Sequence, residues 1–320
     1  MGWKLMLALL QGEWLKIRRQ KVIYLVLSGL FVLTLVHGIF QAFQQPADPI
    51  PESWQPALQS ELARLQEKQP ELNPGTLMYE VNRDKILLYQ YQLEHQIPPN
   101  NSQSAWKFLS SNKMLLTISG LYLITMSAYI VASEYQQGTV KFLFLKPVSR
   151  VSVMIAKWLM ICLLLLITVG FFMIVSFLTG LVLFGNSGPA ETLVVVGDEV
   201  IVQNVAFATL RYYFFSVLGI GVLCAGAFTL ACVIRSVAVV TAISLFLYYS
   251  GELVTRLLAA RFDVAKYLLF AHTDLNMYFE GRAFAEGMSI QFSLTVLSIY
   301  LLFFAAVVWR SVYRKDVPLS

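Results

Sequence analysis

Charge is scarce in this sequence: Asp, Glu, Lys and Arg make up 13% of its 320 residues, while 57% are hydrophobic and the mean hydropathy is +0.64. That balance excludes an ordinary soluble domain and leaves a polytopic membrane protein. Cysteine is also rare. Cys162, Cys224 and Cys232 lie in or beside apolar runs without a Cys-x-x-Cys pair, and the loops outside those runs have none. Neither a metal centre nor an extracellular disulfide framework is therefore expected, and the three read as small core residues. No Gly-x-x-x-x-Gly-Lys-Ser/Thr loop is present, so any nucleotide is expected to be held and hydrolysed on another chain. No catalytic residue, cofactor or metal ligand is predicted. His37 is the one histidine within an apolar run and has no carboxylate nearby in sequence, which favours packing over a proton relay.

What is present in quantity is uncharged apolar sequence, in runs at 22–40, 114–133, 158–184, 212–234, 236–251 and 288–309. About 20 such residues cross the roughly 30 Å of a bilayer core as a helix, so six spans are expected. Only Arg235 separates the fourth run from the fifth. One continuous helix would be about twice the length needed and would place a cation mid-membrane at about 2.5–3.5 kcal/mol, so a hairpin with Arg235 at its tip is preferred.

Lys and Arg sort by side. Thirteen fall in 1–21, 134–157, Arg235 and 310–320, against ten in the longer opposite loops 44–113, 185–206 and 255–288. Both termini are thus expected in the cytoplasm. Acids are sparse on that side, where only Glu13, Glu134 and Asp316 occur, so the net charge of +5 reports topology and implies no nucleic acid. Within 1–20, Leu7, Leu10, Trp14 and Ile17 oppose Lys4, Lys16 and Arg19, as in a helix lying in the membrane interface. No small-residue cleavage site follows the first apolar run, so this region is read as retained.

The expected architecture is an all-α polytopic membrane protein. An interfacial helix (1–20) precedes spans at 21–43, 114–133, 158–184, 207–234, 236–252 and 288–310. The extracellular parts are a helical insert (44–113), a loop (185–206) and short interfacial or re-entrant helices (253–287), and the cytoplasmic parts are 134–157 and a tail (311–320). In the insert, Trp54, Leu58, Leu62 and Leu65 mark one helix and Ile86, Tyr89, Leu93 and Ile97 a second, closed by Pro98 and Pro99. Leu257, Phe262, Tyr267, Leu268 and Phe270 make 253–287 too apolar for free solution. In the fourth span Gly219, Gly221, Ala225 and Gly226 favour close helix packing, and Arg211 is expected to snorkel outward.

The most informative stretch is the cytoplasmic segment between the second and third spans. Val140, Leu143 and Phe144 at i, i+3 and i+4 give a short helix an apolar stripe, Pro147 stops it, and Ser149 caps the helix that follows. Such an element can dock into a groove on a partner. Glu134 sits at the inner end of the second span, where a carboxylate needs water or a cation; Lys141, Lys146 and Lys157 are the candidates.

These residues resemble a known family. Glu134, Gly138 and Thr139, followed by Lys146-Pro147-Val148-Ser149-Arg150, are similar to the Glu-x-x-x-Gly-Thr and Pro-Val-Ser-Arg pattern of permease subunits of type 2 ABC exporters. The ending Arg314-Lys315-Asp316-Val317 is similar to their tails, and the long first external loop resembles the bacitracin-export and antibiotic-peptide-resistance type. The resemblance implies a half-transporter in a bacterial cell membrane, paired with a second copy or a sister permease and bound to two separate ATPase subunits. It implies that Glu134, Gly138, Thr139, Val140, Leu143, Phe144, Lys146, Pro147, Ser149 and Arg150 form the ATPase-coupling surface. The cargo would be an amphipathic or hydrophobic compound such as an antimicrobial peptide, a drug or a lipid, moved outward. The rival expectation is an ion-coupled transporter or channel, which the absence of acids within the six apolar runs disfavours. A membrane-embedded hydrolase would need a nucleophile beside a base, and no such motif surrounds a Ser or Cys.

Overall fold

A computed structural model of the chain describes residues 3–44, 53–73, 76–99, 102–138, 148–186, 188, 190–259, 261–281, 283 and 287–314. Its helices are α1 (Trp3–Arg19), α2 (Val22–Gln44), α3 (Trp54–Lys68), α4 (Leu77–Glu94), α5 (Ala105–Ser111), α6 (Lys113–Gln136), α7 (Arg150–Phe184), α8 (Val205–Ile234), α9 (Val237–Ala259) and α10 (Ile290–Arg314). Six of them, α2, α6, α7, α8, α9 and α10, are long and apolar enough to cross a membrane. The chain is a multi-pass membrane protein. Large side chains on the outer helices point away from the bundle, with Leu25 71%, Phe246 68% and Leu302 71% exposed. An outside of this kind is stable against hydrocarbon and not against water.

The centre of the bundle is α6 packed on α8, both more than half buried, with α7 alongside. The Ser127 hydroxyl donates to the Cys224 carbonyl at 2.7 Å and pins the two central helices together. Helices α8 and α9 are separate. Arg235 adopts a left-handed conformation (φ 61°) at the turn between them, and its guanidinium lies 4.5 Å over the Tyr135 ring. This is the hairpin tip that the charge argument required.

Four features differ from the expectations. The chain is mostly helical, as expected, but a two-stranded antiparallel hairpin, β1 (Glu191–Val196) with β2 (Glu199–Asn204), stands where a loop was expected. Val-rich runs flank Gly197-Asp198, and Gly197 at φ 65° makes the tight turn, a signal the hydropathy scan passed over. Second, the end of the insert is α5, a helix driven into the bundle rather than a part of an external cap. Phe108 is fully buried against Gly38 of α2 and Gly180 of α7, positions where a Cβ would come within 3.2 Å and 3.0 Å of its ring or side chain. Third, α9 runs to Ala259 instead of stopping at residue 252, and Glu252 and Arg256 pair at i, i+4 (2.8 Å) on its exposed face. Fourth, Gly219 admits the Thr273 carbonyl, 2.0 Å from where a Cβ would stand, so at this position smallness serves a loop contact and not helix packing.

The outer pieces interlock. Helices α3 and α4 pair, with Asn82 Nδ2 donating to the Leu65 carbonyl at 2.9 Å. Arg83 of α4 donates to the Gly197 carbonyl (3.3 Å), and Gly281 packs its backbone against the same turn. The segment after α9 forms three 3-10 turns, Asp263–Tyr267, Leu269–Ala271 and Leu275–Phe279, where short interfacial or re-entrant helices were expected. His272 is fully buried there. Its Nε2–H donates to the Lys266 carbonyl (2.8 Å), which leaves Nδ1 to accept from the Ser293 hydroxyl (2.6 Å), while the Tyr278 hydroxyl bonds to Ser293 Oγ. The other histidine of interest, His37, meets Asn112 Oδ1 at 2.5 Å, which agrees with a packing role.

Candidate functional site

The inner end of the bundle, the side that the Lys and Arg distribution assigns to the cytoplasm, holds a compact group of four charges. Glu13 and Lys16 come from α1, Glu134 from the last turn of α6 and Lys157 from the second turn of α7. Lys157 Nζ lies 3.1 Å from Glu13 Oε2 and 2.8 Å from Glu134 Oε1, and donates to the Ile130 carbonyl at 3.1 Å. Lys16 Nζ bridges the same acids from the solvent side, 2.8 Å from Glu13 Oε1 and 2.6 Å from Glu134 Oε1. Two acids and two lysines make the group neutral. Lys157 is 0% and Glu13 6% exposed, so charge balance decides whether this arrangement can persist.

Local sequence explains each placement. Glu13 lies three residues after Leu10 and four before Ile17, so it shares the helix face that α1 presents to the bundle, where Ile17 is buried and Leu10 and Trp14 are partly so. Leu7, expected on that face, is 37% exposed and turns away. The sequence reading missed Glu13 and Lys16, although the spacing of Glu13 on the apolar face was visible. For Lys16, burial lowers the pKa, but hydrogen bonds and charge attraction from Glu13 and Glu134 outweigh it and the net shift is upward. The lysine is held as a cation.

Two of the three cations proposed for Glu134 from sequence, Lys141 and Lys146, lie outside the described residues, as do Thr139, Val140, Leu143, Phe144 and Pro147. The third, Lys157, is the partner found. The residues on either side of that stretch behave as their chemistry predicts. Helix α6 ends through Gly138 in a left-handed conformation (φ 67°), and Ser149 Oγ accepts the Ser152 N–H at 3.1 Å to cap α7, of which Arg150 is the first residue. At 35 residues α7 is about 52 Å long, more than a bilayer core requires.

The arrangement is mechanical in kind. One carboxylate, Glu134, ties the last turn of α6 to the start of α7 and to α1, on either side of the 139–147 stretch. Among the described residues no cluster of three or more His, Cys, Asp or Glu side chains is placed to hold a metal.

Comparison with known proteins finds relatives for the whole chain. The family described as protein of unknown function (DUF2705) matches residues 75–318. A chain of Bacillus subtilis (strain 168) described as uncharacterized protein YhcI is 30% identical over 315 residues, covering 98% of this chain and 99% of its own length. Another from the same strain, described as uncharacterized membrane protein YdbK, is 30% identical over 214 residues, covering 66% of this chain and 82% of its own length.

Proposed function

The chain belongs to the family described as protein of unknown function (DUF2705), and from its own residues we propose that it is the membrane-spanning subunit of an ATP-driven exporter. In this reading two such subunits, identical or sister chains, span a bacterial cell membrane and engage two separate cytoplasmic ATPases. The 139–146 stretch is the coupling helix, with Val140, Leu143 and Phe144 in a groove of the ATPase. The supporting observation is the charge cluster: Glu134 and Lys157 join the two helices that bracket this stretch, and Glu13 and Lys16 add the amphipathic α1 to the same joint. A partner that grips the stretch therefore pulls on α1, α6 and α7 together. The lack of a nucleotide-binding loop in the chain and the resemblance of its coupling segment to that of type 2 ABC permeases point the same way. The cargo is an amphipathic or hydrophobic compound: an antimicrobial peptide, a drug or a lipid.

The test is co-purification of the tagged chain with its neighbouring gene products, assayed for a bound ATPase. Leu143→Asp with Phe144→Asp places two carboxylates in an apolar contact that offers them no partner, a cost of several kcal/mol. The variant is expected to insert normally and lose the ATPase. Recovery of the ATPase at normal yield would remove the coupling surface and the assignment built on it. Export that survives ATP depletion and follows an ion gradient would favour the ion-coupled alternative.

A further inference from the structure

The outer end carries a second polar feature, independent of the exporter reading. A pocket of about 110 Å³ opens between the first turns of α6 and α8, the hairpin and the Leu275–Phe279 turn. A buried water needs about 10–15 Å³ by this measure, so the space holds a group of several heavy atoms. Lys113, Thr209, Arg211 and Glu280 are the lining residues that matter.

The two cations are positioned but not neutralised. Lys113 Nζ stands 4.2 Å over the Tyr212 ring and the Arg211 guanidinium 4.1 Å over the Phe279 ring. Aromatic faces of this kind orient a cation and leave its N–H groups available. Among the described residues Lys113 makes no hydrogen bond or ion pair, and Arg211 donates one bond, to Gln203 Oε1 at 3.2 Å. Glu280 lies within electrostatic reach of both and Asp274, which is exposed, of Lys113. Thr209 also lines the pocket; it is 1% exposed, and its Oγ1 has no hydrogen-bond partner. A buried hydroxyl without a partner is unfavourable, and an acceptor in the pocket satisfies it.

We propose that this pocket binds a phosphate group. An ammonium, a guanidinium and a hydroxyl reach it from two helices, an arrangement that suits a group with several oxygens, and Arg adds a planar fork that matches phosphate. Among the lining groups two cations face one carboxylate, Glu280, so the lining carries a net positive charge that complements a singly charged phosphodiester; Asp274 lies outside the lining and is exposed to solvent. Lys113 opens α6 and Arg211 lies two turns into α8, so both cations stand near the ends of helices long and apolar enough to cross a membrane. The shared chemistry is a phosphate oxygen cluster, supplied by a phospholipid head or by free phosphate.

The test is thermal unfolding of the detergent-purified full chain with dihexanoyl phosphatidylglycerol, with dihexanoylglycerol lacking the phosphate, or with inorganic phosphate, each at one ionic strength. The phosphodiester is expected to raise Tm saturably and the phosphate-free lipid to leave it unchanged. Lys113→Gln and Arg211→Gln should each weaken the apparent affinity about tenfold, as loss of one charge-assisted bond does. Thr209→Val keeps the shape and removes the unpaired hydroxyl, so it should leave the unliganded Tm equal or higher and still weaken binding. Stabilisation by inorganic phosphate with the same dependence on the variants supports the site and assigns it to soluble phosphate. Absence of saturable stabilisation by either probe, or equal stabilisation in Thr209→Val and Lys113→Gln, overturns the proposal.

Discussion

Replacing Lys157 by Met keeps an unbranched side chain one heavy atom shorter and removes the one fully buried cation of the inner cluster. The native ammonium faces Glu13 Oε2 at 3.1 Å, Glu134 Oε1 at 2.8 Å and the Ile130 carbonyl at 3.1 Å. In Lys157→Met two carboxylates are left with Lys16, whose side chain is 50% exposed and screened by water. Breaking a buried pair from one side costs about 3–5 kcal/mol, and because Lys16 still touches both acids the expected loss is at the lower end, about 3 kcal/mol. Glu13→Gln alone leaves Lys157 paired with Glu134 and should cost less. The double variant Glu13→Gln/Lys157→Met retains a neutral Glu134–Lys16 pair. Its loss should therefore fall short of the sum of the single losses by about 1–2 kcal/mol, within the range found for residues sharing one network. Equilibrium unfolding of the four proteins in detergent measures the cycle, and limited proteolysis of α1 reports whether that helix is released. A Lys157→Met protein within about 1 kcal/mol of the parent, or strictly additive losses, would refute the view that charge balance holds α1 to the bundle.

Three further outcomes are expected. Cysteines placed at Gln59 and Asn186 should react with an impermeant reagent on whole cells and cysteines at Gln137 and Ser311 should not; reaction at Gln137 from outside reverses the orientation. Gly219→Ala puts a methyl 2.0 Å from the Thr273 carbonyl, whereas Gly221→Ala meets only Leu165 at 3.6 Å, so the first should lower Tm and the second leave it nearly unchanged. Burial lowers the pKa of His272 against a smaller upward effect of its bond to the Lys266 carbonyl. The folded state therefore keeps the ring neutral while the unfolded chain takes up a proton near pH 6.5, so the stability this group contributes is complete above that pH and declines as pH falls below it. Unfolding measured between pH 8 and pH 5 should show this decline in the parent protein and a flatter profile in His272→Gln.

Much of this architecture was legible in the sequence, because an apolar run without charge has few alternatives to a spanning helix and because a single Arg between two such runs forces a turn. Ser149 was legible for a similar reason, as its side chain caps the helix that follows; Gly138 was noted only for the motif it shares with type 2 ABC permeases, and its left-handed turn at the end of α6 was not read. The charge cluster was half legible. Lys157 was among the partners proposed for Glu134, but Glu13 was counted only as one of the few cytoplasmic acids although its spacing from Leu10 and Ile17 placed it on the buried face. What remained hidden depends on contacts distant in sequence. Phe108 becomes a wedge only where Gly38 and Gly180 make room for it, and the Lys113–Arg211 pocket exists only after residues from α6, α8, the hairpin and the last 3-10 turn converge. Hydropathy periodicity carries no information of that kind.

Helix α7 joins the inner cluster to the outer face without interruption, from the first turns that carry Lys157 to Gly180, which receives Phe108 of α5. A rod of this length acts as a lever. Pivoted near one end, its about 52 Å would sweep the opposite end through roughly 4–5 Å for a tilt of about 5°, more than the clearance beside Gly180 allows. The Phe108 wedge must therefore travel with the helix or be expelled from its notch, so an event among the charges on one side of the membrane has a mechanical readout on the other, measurable as the distance between probes on α5 and α2.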